Sequence, residues 1–305
     1  MILYDGSAPE WSSLAAGARV RSLAERYPCL RSGVFGRSGM GKPLRCLFFG
    51  EGERAAVFAA GQHANEWICS PALLNHVEAL ASAWAAGDAA ARELYRRTRL
   101  CFAPLVNPDG ADLVTGALRR GRYYERAAHI AAGFPDVPFP SGWKANISGV
   151  DLNLQYPAGW ERAKEIKFAL GWTRPAPRDY VGAAPLCAAE GRALYLLTRR
   201  MAPKTALTLH TQGEVIYWRY RGFAPPGAEA LAEALAAASG YALDEAPDES
   251  GSAGYKDWAI DALGIPAFTV ECGLGENPLP ASELGGISAA ADAVCARLEA
   301  WCAAS

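Results

Sequence analysis

Apolar residues recur at close to 3.6-residue spacing through Trp11–Tyr27, Ser70–Ala86, Leu186–Met201, Glu229–Ser239 and Ala289–Trp301, which predicts amphipathic helices. Between these stretches lie short apolar runs of strand length: Pro43–Phe49, Ala55–Ala60, Arg99–Leu105, Ala206–His210, Val215–Trp218 and Pro266–Glu271. Strand-like and helix-like segments alternating along one chain predict an α/β architecture, a central sheet covered by helices on both faces. No internal repeat, low-complexity tract or Gly/Ser linker interrupts the pattern, so residues 1–305 read as a single domain. The stretch from Asn107 to Pro185 departs from it. Rich in Gly, Pro and aromatic residues and poor in sustained periodicity, it reads as a long loop of the kind that builds functional sites.

Composition narrows the class. With 30 Lys+Arg against 32 Asp+Glu, the formal net charge of −2 gives no electrostatic reason to bind nucleic acid or an anionic membrane. No apolar run approaches the roughly 20 residues of a membrane-spanning helix. The opening MILYDGSAPEW lacks the basic-then-apolar pattern of a signal peptide, so a cytoplasmic protein is expected, with export by an unrecognised route left open. The eight cysteines are scattered singly without a CxxC pair, which argues against a thiolate metal site and for reduced structural thiols.

Two apparent motifs dissolve on inspection. Gly36-Arg-Ser-Gly-Met-Gly41-Lys42 approaches a phosphate-binding loop, but Pro43 stands where a magnesium-binding hydroxyl is needed and a strand follows in place of a helix. A Gly-rich hairpin turn is the better reading. The same segment does not spell GxSxG, because Met40 occupies the last glycine position.

The chemistry gathers around two of four histidines. His63 follows the strand-like AAVFAAG and forms His-x-x-Glu with Glu66, while His210 ends the strand-like TALTLH. A hydrolytic zinc site wants three N/O ligands and one open position, and two imidazoles with one carboxylate meet that need. His76, on an amphipathic helix, and His129, within the long loop, read as ordinary structural residues. Further motifs follow in order: Asn107-Pro-Asp-Gly110, Trp143-Lys144-Ala-Asn146, Gly149-Val-Asp151-Leu-Asn153, Leu209-His210-Thr211 and Phe268-Thr-Val-Glu271.

Taken in this order, the motifs resemble the zinc metallocarboxypeptidase family from about Tyr27 to the C-terminus. LHTQGEVIYW, GVDLNLQYPAGWE, PAPRDYVG, AGYKDW and VECGLGENPLP are similar, within that family, to the bacterial γ-D-glutamyl-L-diamino-acid peptidases. The resemblance implies a carboxypeptidase-like, twisted, mixed parallel and antiparallel sheet of about eight strands. It implies one zinc ion held by His63, Glu66 and His210, Glu271 as general base, and Asp151 as the carboxylate that orients a ligand histidine. It also implies a murein-derived peptide substrate, cut between γ-linked D-glutamate and meso-diaminopimelate. Lys144 stands where the family commonly carries an Arg that faces the oxyanion, so a point charge replaces a bidentate fork.

Departures from the family bear on specificity. The residue after Asn153 is Leu154, where carboxypeptidases usually carry the Arg that grips a terminal α-carboxylate with that Asn. The family's capping tyrosine is absent at its usual spacing before Glu271, where Asp257 and, further back, Glu249 stand; Tyr255 is the candidate to replace it. Lys256 matches a position that faces the specificity pocket and is expected to pair with a diaminopimelate carboxylate. Asn153, Gln212, Asn146 and Gln155 are further candidates for substrate contact. Two alternatives stay open: a zinc amidohydrolase or carboxypeptidase acting on another γ-glutamyl or N-acyl substrate, and a metal-free peptide-binding relative, against which the intact metal and base residues argue.

Overall fold

The computed structural model describes residues 11–305; the leading MILYDGSAPE, read above for its lack of an export pattern, lies outside the described residues. The strands are β1 (Leu30–Arg37), β2 (Pro43–Phe49), β3 (Arg54–Ala60), β4 (Thr98–Ala103), β5 (Thr205–His210), β6 (Val215–Tyr217), β7 (Ala242–Asp244) and β8 (Ala267–Glu271). They form one eight-stranded mixed sheet in the order β1-β2-β4-β3-β5-β8-β6-β7. The four central strands, β4, β3, β5 and β8, are parallel, and antiparallel pairings flank them. This single α/β domain matches the architecture predicted from the sequence.

Alternation along β3 shows why parallel strands need helices on both faces. Ala56, Phe58 and Ala60 enter a core with α1 (Ser13–Arg26), α2 (Cys69–Ala85), α8 (Ala228–Ser239) and α10 (Leu284–Ala304). Ala55, Val57 and Ala59 enter the opposite core, with α7 (Ala189–Met201) and α9 (Tyr255–Leu263). The Gly36–Lys42 segment is the turn of the β1–β2 hairpin, and its Lys42 pairs with Asp109 and Asp112.

The Asn107–Pro185 stretch is more ordered than its sequence pattern suggests. It contains α4 (Pro108–Val114), α5 (Arg122–Ala131), a single helical turn at Leu152–Leu154 and α6 (Trp160–Ala169). His129 therefore lies on α5, exposed. These helices were hidden because they are short, and the start of α4 depends on a side-chain cap. Asn107 Oδ1 accepts from Gly110 N at 3.0 Å, while its Nδ2 donates to Gln62 O and Ala145 O. A Cβ on Gly110 would meet Ala64 Cβ at 2.7 Å and Ala145 O at 2.8 Å. Asn107 and Gly110 thus let the loop after β3 and the Lys144 segment close on one another.

His76 is buried on α2 between two carboxylates of α10, Asp292 and Glu299, each 2.7 Å away. Burial opposes its charge, but the two carboxylates outweigh that and raise its pKa to about 10. A pKa raised on folding means stabilisation that is complete below the ordinary value of 6.5 and fades as pH climbs to about 10. His76→Leu leaves Glu299 buried without its partner and should cost about 3–5 kcal/mol near pH 6. In urea unfolding the difference from wild type should shrink between pH 6.5 and 10; a difference that stays constant with pH contradicts the assignment.

Candidate metal centre and substrate cavity

Three neighbouring parallel strands end side by side and carry the centre. Ala60 pairs with Leu209, and His210 pairs with Glu271, so the carboxyl ends of β3, β5 and β8 lie level. His63 and Glu66 follow β3 in one tight turn, His210 is the last residue of β5, and Glu271 is the last of β8. A crevice at the carboxyl ends of parallel strands is where open α/β sheets bind ligands.

The two imidazoles turn the same ring atom inward. His63 Nδ1 lies 2.9 Å from Glu66 Oε1, His210 Nδ1 lies 2.7 Å from Glu66 Oε2, and the two Nδ1 atoms are 3.1 Å apart. The outward Nε2 of His63 meets Asp151 Oδ1 at 3.1 Å, and that of His210 faces Gln62 at 3.4 Å. Burial and the close charges act on these groups in opposite directions. Burial works against a charged His63, yet Glu66 and Asp151, opposed by Lys144, hold its pKa up at about 9. Glu66 and Asp151 are held well below the usual carboxylate range, because the imidazoles more than offset the cost of burial. Tetrahedral zinc with N/O ligands at ~2.0–2.1 Å separates its ligand atoms by ~3.3 Å, close to the spacing of this trio. The donor set fits one zinc ion, whose binding would release any proton held on the ligand atoms.

Asp151 is a hub. Besides His63, its Oδ1 accepts from Asn153 N at 3.0 Å and its Oδ2 from Asp179 N at 3.3 Å. Lys144 is held by its backbone: its N–H donates to Pro177 O, and its carbonyl accepts from Ala64 N beside His63. Burial opposes the Lys144 ammonium, but Glu66 and Asp151 raise its pKa, so it stays charged. Glu271 is raised chiefly by burial, with Glu66 adding to the shift and His210 opposing it.

A cavity of ≈ 590 Å³ opens on this group and is lined by His63, Glu66, Lys144, Asn153, Gln212, Lys256 and Glu271. Lys256 is buried, with its ammonium on Asp257 and Arg219 O. Three expectations need correction. Tyr255 lies outside the cavity: it is buried in the core, and its hydroxyl bonds that of Thr198 at 2.8 Å. Its place at the start of α9 turns it inward, and the tyrosine on the cavity wall is Tyr217 of β6. Asn146 is committed to Glu190 and to its own turn, and Gln155 to Val181 O and Ala188 N. Leu154 is packed with Trp160, Ala163, Val181 and Ala253, away from the metal trio. Arg178, within PAPRDYVG, lines the cavity although its sequence setting gave it no role.

A buried zinc trio at the end of a parallel sheet, with a carboxylate one strand away, defines a metallohydrolase. Residues 18–289 match the zinc carboxypeptidase family, and the chain belongs to that family as a zinc metallopeptidase. It is 38% identical over 272 residues to the γ-D-glutamyl-L-diamino acid endopeptidase 1 of Lysinibacillus sphaericus, covering 88% of this chain and 67% of the relative. The fold is similar to carboxypeptidase A from Helicoverpa armigera, with a TM-score of 0.71 and 18% identity over 97% of this chain and 74% of that one. It is also similar to the murein-tripeptide amidase MpaA from Escherichia coli O157, with a TM-score of 0.55 and 21% identity over 87% and 91%. Among the described residues, no helix is long and apolar enough to cross a membrane.

Removing a carboxylate that orients a metal-bound histidine typically weakens metal binding by about 10–100-fold. Asp151→Asn should raise the zinc dissociation constant by that factor in a chelator competition titration, with the fold intact by circular dichroism. An unchanged constant contradicts the geometry.

Proposed function

We propose that this peptidase hydrolyses the amide between γ-linked D-glutamate and meso-diaminopimelate in peptides derived from murein. The observation that carries the reading is the placement of individual cations on the cavity wall. Lys144, Arg178 and Lys256 reach it from three separate segments, while the position that grips a single terminal carboxylate in carboxypeptidases is Leu154, packed elsewhere. Asp136, Asp257, Glu271 and Glu276 line the same cavity and Lys256 is paired with Asp257, so these cations suit substrate carboxylates by their separate positions and not by a net positive charge. The endopeptidase name of the Lysinibacillus relative supports the same substrate class.

Zinc, when bound, supplies Lewis acidity toward the scissile carbonyl and lowers the pKa of a water. In this reading Glu271 takes a proton from the attacking water and returns it to the leaving amine. Lys144 faces the negative charge that gathers on the carbonyl oxygen, where a fixed cation needs no reorganisation. Asp151 keeps His63 in the tautomer that presents Nδ1. Asn153, Gln212 and Lys256 contact the substrate, Lys256 at the carboxylate of the diaminopimelate side chain. We place the reaction in the cytoplasm, on peptides recovered from the wall. All eight cysteines are free and seven are buried, as suits a reducing compartment.

The test is zinc-loaded wild type and Glu271→Gln assayed on L-Ala-γ-D-Glu-meso-diaminopimelate, its L-Lys analogue and a hippuryl dipeptide. Wild type should favour the diaminopimelate peptide and leave the hippuryl substrate nearly untouched. Glu271→Gln should keep its zinc and lose about 10²–10⁴-fold in turnover. Strong hippuryl hydrolysis by wild type contradicts the substrate reading, and an active Glu271→Gln contradicts the role of the base.

A further inference from the structure

Arg178 sits on a strap that the chain folds back over the metal centre. Pro177 O accepts from both Lys144 N and Ala145 N, Asp179 N donates to Asp151, and Tyr180 O accepts from Asp151 N. The strap is therefore tied through backbone groups to Lys144 and to the carboxylate that holds His63. Within it, Asp179 grips Arg178 Nε at 2.6 Å with one oxygen and Lys167 Nζ at 2.6 Å with the other. The Asp179 and Lys167 side chains are mostly buried, at 13% and 7% exposure, whereas Arg178 is 44% exposed. A guanidinium fixed through Nε is left with its two terminal nitrogens as a fork. Among the described residues, these two nitrogens have no hydrogen-bond or ion-pair partner, and the residue lines the cavity.

The other charged groups of the cavity leave this fork available. Asp257 is engaged by Lys256, and neither Asp136 nor Glu276 forms an ion pair with Arg178. A second group in the same cavity also lacks a partner: Asn65 Oδ1, between the ligands His63 and Glu66, is buried with no hydrogen-bond donor. The strap carries Arg178 beside Lys144, the residue assigned to the carbonyl oxygen, and thus on the acyl half of the substrate. Asn153 and Lys256 form another wall, joined through Tyr255 N on Asn153 Oδ1. What sets a γ-linked glutamyl group apart from an ordinary peptide is a free α-carboxylate on that acyl half, a short methylene reach from the scissile carbonyl.

We propose that Arg178 binds this α-carboxylate and so selects γ-glutamyl over α-linked or amidated acyl groups, with Asp179 as the positioning residue that aims the fork. Bidentate guanidinium–carboxylate recognition gives both strength and a fixed orientation. The Arg absent after Asn153 is thus answered by a different Arg, for a different carboxylate. The inference rests on the γ-glutamyl reading above.

The experiment compares wild type, Arg178→Gln and Arg178→Lys, each zinc-loaded, on three peptides: L-Ala-γ-D-Glu-meso-diaminopimelate, the same peptide with D-isoglutamine in place of D-glutamate, and the first peptide amidated at the diaminopimelate α-carboxylate. Wild type should prefer the free α-carboxylate over the isoglutamine peptide. Arg178→Gln should lose about 10–100-fold in kcat/KM on the first peptide and change little on the isoglutamine peptide, so the preference collapses. Arg178→Lys should fall between, and zinc content should stay at the wild-type level in both variants. Equal losses on the glutamate and isoglutamine peptides, or a preference lost only toward the amidated diaminopimelate, overturns the assignment and leaves the γ-glutamyl reading standing. Failure of wild type to cleave either γ-glutamyl peptide removes that reading and this inference with it.

Discussion

Two imidazole nitrogens and a carboxylate lie within 3.1 Å of one another in the buried interior, and no other arrangement in the molecule sets such demanding terms. Polar groups this close and this dry are stable only if charge is shared among them or a cation sits between them. The surroundings meet those terms from behind. Asp151 holds His63 from its outer edge, Gln62 faces the outer edge of His210, and Lys144 balances the local excess of carboxylates. The same outward contacts leave both Nδ1 atoms for a metal. Stabilising the centre and preparing it to bind zinc are thus one structural act.

The sheet makes this convergence cheap. Because β3, β5 and β8 are adjacent, parallel and level at their ends, groups spread along the chain from His63 to Glu271 arrive together without a dedicated scaffold. The loops then add what the sheet cannot supply. Asn107 and Gly110 bring the Lys144 segment against the turn after β3, and the Pro177–Tyr180 strap binds Lys144 and Asp151 through backbone groups. The metal-binding groups sit at or just past the strand ends, whereas loop residues make up much of the cavity wall, and loops can vary without disturbing the core.

How much of this was legible follows from where each signal resides. β2, β3, β5 and β8 showed in the sequence because both faces are covered and their residues are almost uniformly apolar. β1 did not, since Arg31, Ser32 and Arg37 are exposed and its glycines break the pattern; β7 is only three residues long. The helices α4 to α6 were hidden because their periodicity is too short to register, and α4 in particular depends on the side chain of Asn107. His63, Glu66 and His210 stood out as residue types suited to a metal beside strand-like runs, while their joint role and that of Glu271 came from the ordered motifs that resemble the zinc metallocarboxypeptidases. Tyr255 misled, since its neighbourhood in the chain says nothing about which way α9 turns. Arg178 was invisible as a site residue for the opposite reason: its meaning arises only once the strap folds back beside Lys144.

Zinc anomalous scattering from crystals of the zinc-loaded protein tests the central claim most directly. The account predicts one strong peak bonded to His63 Nδ1, the Glu66 carboxylate and His210 Nδ1, with Glu271 facing the remaining position. Zinc held through the Nε2 atoms, or bound at another place with this trio left bare, would contradict it.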